Sequence, residues 1–258
     1  MMLQSAQRRN LGRAWTRSPP HPNLPRMDAP GFALLYENGP CLVVGKPAGV
    51  LTQAPPGVDS LEMRVRRFLH DRDGRPLDAH LGVVHRLDRP ATGALLLGLR
   101  RKATRGLSAQ FAARSVAKLY WVAVSGAVAP EAGTWKDHLR KVPGEPRAEI
   151  VASDHPDAQP AVLHYRVLVS TAWGAWLAVT LETGRTHQIR IQAASRGHPV
   201  LGDARYGSRA PFGERETDPR LQAIALHARE LHFRDPASGA AISVIAPLPD
   251  AWLALGLP

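Results

Sequence analysis

The chain has 258 residues, 44% of them hydrophobic, which is enough to bury a good core as one domain or as a domain with two lobes. A single cysteine, Cys41, excludes an internal disulfide, and without a Cys-x-x-Cys there is no zinc knuckle, so a reducing compartment, the cytoplasm, is expected. The 33 basic against 22 acidic side chains leave a net +11, which points to a polyanionic partner, nucleic acid first and an anionic membrane surface second.

Residues 1–30 are rich in arginine and proline, with Arg8, Arg9, Arg13, Arg17 and Arg26 against one acid, Asp28, and are expected to be a disordered basic segment preceding a domain over 31–258. They have no apolar core and so are no secretory signal. Their arginine excess is compatible with a mitochondrial transit peptide, with a flexible arm, or with a true start at Met27.

Beyond Gly31 the pattern predicts strands at Phe32 to Tyr36 and Leu42 to Val44 around the turn Glu37-Asn38-Gly39-Pro40. After Pro55-Pro56-Gly57, Asp59 or Ser60 can cap a helix with Leu61, Val65, Phe68 and Leu69 on one face, ended by Asp71-Arg72-Asp73-Gly74. Val83-Val84 and Ala94 to Leu99 are short apolar runs suited to a sheet interior. Arg101 to Arg114 predicts a second helix, with Ala103, Leu107 and Phe111 four apart, and Lys118 to Val124 a strand. Trp135 to Ile150 is polar and basic around Pro143-Gly144, an exposed hairpin or loop. Alternation from Ala161 to Val169 predicts a half-buried antiparallel strand. Val167 to Leu181 is uncharged, yet shorter than the ~18 residues of a membrane span and broken by polar residues, so it reads as two strands turning near Trp173-Gly174. Thr183-Gly184 forms a turn, and Thr186 to Ser195 a helix ending at Gly197-His198-Pro199, with Arg185 at its start, where a phosphate could bind. Many short strands with a few helices imply an α+β domain on a mixed, largely antiparallel sheet.

The block His85-Arg86-Leu87-Asp88-Arg89-Pro90 lies between two of the apolar runs and is thus a loop held at both ends. A carboxylate on so rigid a support can serve as nucleophile or base, with an arginine to orient it and keep it ionised. The plainer alternative is a connecting loop with a solvated ion pair. A glycoside hydrolase would need a second carboxylate at a fixed separation, and Glu182 and Asp203 are the only acids near other motifs. His187, His198, His227 and His232 have spacings that match no compact metal-ligand motif.

His85-Arg86-Leu87-Asp88 with Thr92-Gly93 resembles the central motif of the RluA family of pseudouridine synthases. Lys46-Pro47-Ala48-Gly49-Val50 resembles that family's first motif, Lys118-Leu119-Tyr120 its Lys-x-Tyr motif, and Thr183-Gly184-Arg185-Thr186-His187-Gln188-Ile189-Arg190 its third. The likeness continues through Gly197-His198-Pro199-Val200-Leu201-Gly202-Asp203 and Leu226-His227-Ala228, covering about residues 32 to 247.

The resemblance implies isomerisation of uridine to pseudouridine in RNA, ribosomal RNA first and tRNA second, by a monomer without metal or small-molecule cofactor. Asp88 would be the catalytic carboxylate, either attacking C1′ or removing a 2′ proton. Arg190 would pair with it, in a bidentate contact if geometry allows. Tyr120 would stack on the uracil and stand near C5. Arg86 would take the place of the flipped nucleotide, offsetting part of the few kcal/mol of unstacking. Lys46, His85, Thr92, Arg185, Thr186, His187 and Gln188 complete the expected substrate-binding set, with support of the site or a simple turn lysine as the reading for Lys46 itself and a loop-bracing hydrogen bond as the alternative for His85. Two departures from the family pattern are Ala91-Thr92, where Thr-Ser is common, and Gln192, where a histidine is common. The family's frequent S4-type RNA-binding domain is not expected here, with about thirty residues before Phe32. RNA would then be gripped by the domain itself, with Arg100-Arg101-Lys102, Arg105, Arg114, Lys136, Arg140-Lys141, Arg205 and Arg209 as candidates. A catalytically silent RNA-binding protein of the same fold is the alternative function. It would lose one of Asp88, Tyr120 or Arg190, and all three are kept.

Overall fold

The computed structural model describes residues 31–256; the expectations for residues 1–30 lie outside them. The chain runs β1 (Ala33–Asn38), β2 (Cys41–Lys46), α1 (Leu61–Asp73), β3 (Gly82–Val83), β4 (Thr92–Gly98), α2 (Arg101–Ala112), β5 (Ala117–Ser125), β6 (Ala132–Lys141), β7 (Ala148–Val151), β8 (Gln159–Ser170), β9 (Gly174–Leu181), α3 (Gln188–Ala194), a 3₁₀ turn (Ala204–Tyr206), β10 (Leu226–Arg234), β11 (Ala241–Ile245) and α4 (Asp250–Leu253). The strands form one sheet in the order β1-β2-β4-β10-β5-β9-β8-β6-β7, with β3 on β4 and β11 on β10. Only β4 and β10 pair in parallel, so the sheet is mixed and largely antiparallel, as the strand pattern implied. No described helix is long and apolar enough to cross a membrane.

The central strands explain their own composition. In β2 and β4, Leu42, Val44, Leu95 and Leu97 face one core together with Leu61, Val65 and Leu69 of α1. The alternate residues Cys41, Val43, Ala94 and Leu96 face a second core with Leu107 of α2 and with Leu231 and Phe233 of β10. A strand covered on both faces must be apolar at every position, and β4 is buried along its whole length. Each large side chain so buried contributes roughly 1.5–3 kcal/mol.

Local chemistry closes the elements. The Ser60 hydroxyl accepts from the Met63 N–H at 3.3 Å to cap α1, and Gly74, at φ 65°, ends it in a left-handed turn. At the parallel crossing of β4 on β10, Gly93 has φ 116° and a Cβ there would lie 2.4 Å from the Ala228 carbonyl oxygen, so only glycine lets the two backbones meet. Trp135 to Ile150 is a hairpin made by β6 and β7, but it is less exposed than its polarity suggests. Trp135, Leu139, Val142 and Ala148 are buried, because the hairpin joins the sheet along β8 and lies against α3.

Candidate active site

The loop between β3 and β4 carries Asp88 and is fastened to its surroundings along its length. Thr52 Oγ1 donates to the Leu87 carbonyl at 3.0 Å and accepts from the Leu87 N–H at 3.3 Å. The Gly49 N–H donates to the Arg89 carbonyl at 2.9 Å, and Arg89 Nε donates back to the Gly49 carbonyl at 2.7 Å. The Ile224 N–H donates to the Pro90 carbonyl at 3.2 Å. Leu87 is buried beneath the loop while Asp88, 26% exposed, opens into a cleft of about 1680 Å³.

Lys46 belongs to this fastening. Its Nζ donates to the carbonyls of Pro47 (2.8 Å), Val50 (2.7 Å) and Arg89 (3.0 Å), using the three hydrogens of the ammonium form. Burial pulls its pKa down to about 7, with the Asp88 charge opposing. Lys46 therefore fits the supporting role, and its place in the substrate-binding set is corrected: it is 1% exposed, does not line the cleft, and has no hydrogen left to donate. Thr92 is corrected in the same way, being buried with its hydroxyl 2.7 Å from His227 Nδ1, behind the cleft wall. His85 braces the loop while also lining the cleft. Its Nε2 accepts from the Leu96 N–H at 2.9 Å and its ring stacks on Phe111 at 4.8 Å. Burial, then the nearby Lys118 charge, lowers its pKa to about 3, which fixes the neutral ring that an accepting nitrogen requires.

The opposite wall comes from the segment after β9. Gln188, 3% exposed, accepts through Oε1 from Thr183 Oγ1 at 2.8 Å and from the Arg185 N–H at 3.0 Å. Its side-chain carbonyl closes the turn, and the residue also lines the cleft. This turn, and a left-handed His187 at φ 53°, delay the helix to Gln188 instead of Thr186. Arg185 consequently sits in the turn, its Nε donating to the Pro160 carbonyl at 3.0 Å, and not at a helix start. Thr186 is exposed at the cleft rim.

Arg190, 3% exposed, joins the two walls. Its Nη1 donates to Asp88 Oδ2 at 3.0 Å, while Nε and Nη2 donate to the two oxygens of Asp203 at 2.7 and 2.9 Å. The bidentate contact expected with Asp88 is thus made with Asp203, and Asp88 receives a single bond. Burial alone would lower the Arg190 pKa, but the hydrogen bonds and charge of Asp203, then of Asp88, raise it, so the guanidinium stays charged. Tyr206 offers its ring 5.0 Å below the guanidinium carbon and its hydroxyl to His187 Nδ1 at 2.9 Å. His187 Nε2 lies 3.9 Å from Asp88 Oδ2. Burial lowers its pKa, so near neutral pH this is no ion pair.

Tyr120, 6% exposed on β5, lines the same cleft, as does the exposed Arg86, whose guanidinium has no hydrogen bond or ion pair among the described residues. Of the proposed basic grips, Arg114, Lys141 and Arg205 line the cleft. Arg100, Arg101, Lys102, Arg105, Lys136, Arg140 and Arg209 do not. Glu182 is engaged by His164 at 2.6 Å and Asp203 by Arg190, so neither stands free as the second carboxylate of a glycosidase.

Residues 40–195, most of the sheet and both walls, match the family described as RNA pseudouridylate synthase. The chain belongs to this family, in its RluA branch. The family is one of isomerases. An RNA pseudouridine synthase of Synechocystis is 32% identical over 218 residues, 84% of this chain and 65% of that protein. Ribosomal large subunit pseudouridine synthase D of Xanthomonas campestris is 33% identical over 224 residues, 84% of this chain and 66% of the relative. The chain thus spans about two thirds of the length of these curated relatives. The solved structure of human RNA Pseudouridylate Synthase Domain Containing 4 superposes with a TM-score of 0.69 over 85% of this chain and 90% of that one, at 23% identity, and shares the fold.

Asp203, Tyr206 and Thr52 were not expected in the site. Asp203 stood in a recognised stretch, but nothing in its neighbours marked it as the partner of Arg190. Tyr206 follows by three residues within the same turn, a spacing that could have joined them.

Proposed function

We propose that this chain isomerises uridines to pseudouridine in RNA, ribosomal RNA before tRNA, with Asp88 as the catalytic carboxylate. The observation that carries the reading is the Asp88 carboxylate opening into the cleft on a hydrogen bond from a buried arginine, with Tyr120 and Arg86 lining the same space. The preference for ribosomal RNA rests on the names of relatives such as the Xanthomonas protein.

The reaction breaks the C1′–N1 bond and forms C1′–C5; the hydrogen on C5 leaves as a proton and N1 gains one, so nothing is oxidised or reduced. Either entry route, attack at C1′ or removal of the 2′ proton, needs an oriented carboxylate at the ribose. One oxygen of Asp88 is held by Arg190, which leaves the other to meet the sugar. Tyr120 supplies a flat face for the detached uracil and a hydroxyl near C5. Arg86, unpaired and exposed, is free to enter the stack that the target base leaves.

The test is tritium release from RNA labelled at C5 of uridine, on ribosomal RNA fragments and on tRNA, comparing the parent with Asp88→Asn. Release by the parent and at least a ~10³-fold loss in the variant are expected. A parent that binds RNA in a salt-sensitive way but releases no tritium from either RNA overturns the reading and leaves a binding protein of this fold.

A further inference from the structure

Among the described residues, two that are not glycine hold a left-handed backbone: His187 at φ 53° and Arg114 at φ 54°. Both line the cleft. The His187 conformation is accounted for by what its ring does, between Tyr206 and Asp88. Arg114 has no such account within the protein.

Arg114 follows the end of α2. Its N–H donates to the Phe111 carbonyl at 3.1 Å, and the Ser115 N–H to the Gln110 carbonyl at 2.9 Å, the closing turn in which a glycine ordinarily sits because it carries no Cβ penalty. A long arginine here is an unfavourable choice for the turn. Its exposed guanidinium makes no hydrogen bond, ion pair or ring contact among the described residues, so no internal bond compensates. Backbone strain of this kind persists where the side chain is needed.

The surroundings indicate for what. Lys118 lines the same wall, its Nζ 5.6 Å from the Phe111 ring centroid, and Phe111 stacks on His85 at the root of the Asp88 loop. Ala112 and Val116 line the cleft with the two cations, and neither cation is in an ion pair among the described residues. Two positive charges without an ion pair, in the cleft that holds Asp88, suit the phosphodiester backbone of an RNA strand. We propose that Arg114, together with Lys118, binds a phosphate of the RNA strand next to the target uridine, and that its left-handed backbone is retained for that contact. The proposal rests on the reading of the cleft as an RNA site.

Glycine makes the test unusually clean, because Arg114→Gly removes the charge while relieving the strain. Binding of a fluorescein-labelled single-stranded oligouridylate is measured by anisotropy over a range of salt, beside thermal melts and tritium-release kinetics, for the parent, Arg114→Gly, Arg114→Asn and Arg114→Lys. Arg114→Gly is expected to melt no lower than the parent yet bind roughly three- to tenfold more weakly at low salt, with the slope of log K against log salt reduced by about 0.7. Its KM should rise with kcat within about twofold, Asn should behave like Gly, and Lys should retain most of the affinity. Parent-like affinity and slope in Arg114→Gly would overturn the proposal while leaving the cleft reading intact. A loss of binding that comes with a lower melting temperature, and is shared by Lys, would assign Arg114 to the helix end and also overturn it. A parent that does not bind the RNA removes both readings.

Discussion

Replacing Asp203 by asparagine tests whether the site is organised by a carboxylate that never meets the substrate. Asp203 and Arg190 are 1% and 3% exposed at their side chains, and two hydrogen bonds of 2.7 and 2.9 Å join them. Removing one partner of a buried pair costs about 3–5 kcal/mol, because the remaining charge is left uncompensated. Here Arg190 keeps its bond to Asp88 and the Tyr206 face, and the asparagine retains one acceptor oxygen, so the lower end, about 3 kcal/mol, is expected. For a domain of this size that lowers the melting temperature by roughly 6–12 °C. The guanidinium, no longer fixed on its far side, would also let Asp88 drift, and misplacement of a reacting group by about 1 Å is worth about a hundredfold in rate. Melting followed by circular dichroism and tritium release at a temperature where the variant is folded measure the two effects separately. The double variant Asp203→Leu with Arg190→Met should recover much of the stability, since an apolar pair replaces the buried ions, yet remain inactive. An Asp203→Asn protein that melts within about 2 °C of the parent, or turns over at the parental rate, would refute the reasoning.

Three further outcomes follow from the same geometry. Lys46→Met deprives three loop carbonyls of their donor and should cost about 3 kcal/mol in urea unfolding and lower kcat more than KM; a variant with parental stability would show that the fastening is redundant. Tyr206→Phe loses the hydroxyl shared by His187 and the Ala148 N–H and should cost about 1–2 kcal/mol, read by the same unfolding experiment. Burial lowers the pKa of His85 to about 3 and of His227 to about 4, so between pH 6.5 and 4 the unfolded chain takes up protons that the folded chain refuses. Stability is present above pH 6.5 and falls on acidification, by up to about 1.4 kcal/mol per pH unit for each histidine, and His85→Gln should flatten that slope.

What a sequence can reveal of such a site depends on whether the signal is local. The continuous apolar run of β4, the serine cap and glycine stop of α1, and the strand pair about Trp173-Gly174 were all legible, because burial on two faces, capping and turn formation each act within a few residues. The placement of Asp88 on a loop between two strands was legible for the same reason. The start of α3 was misjudged because a side chain, Gln188, reaches back to close the turn, and periodicity carries no trace of such a bond.

By itself, then, the sequence determined the strand-rich α+β class, the basic character, and the loop that presents Asp88, since these follow from the order and polarity of neighbouring residues. Only the tertiary structure decided that Lys46 and Thr92 turn away from the cleft, that Arg190 spends two bonds on Asp203 and one on Asp88, and that β10 enters beside β4 to bring Tyr120 to the same space. A buried polar group is satisfied by whichever partner the packed chain brings within about 3 Å, and for Arg190 and Asp88 that partner lies 102 residues away.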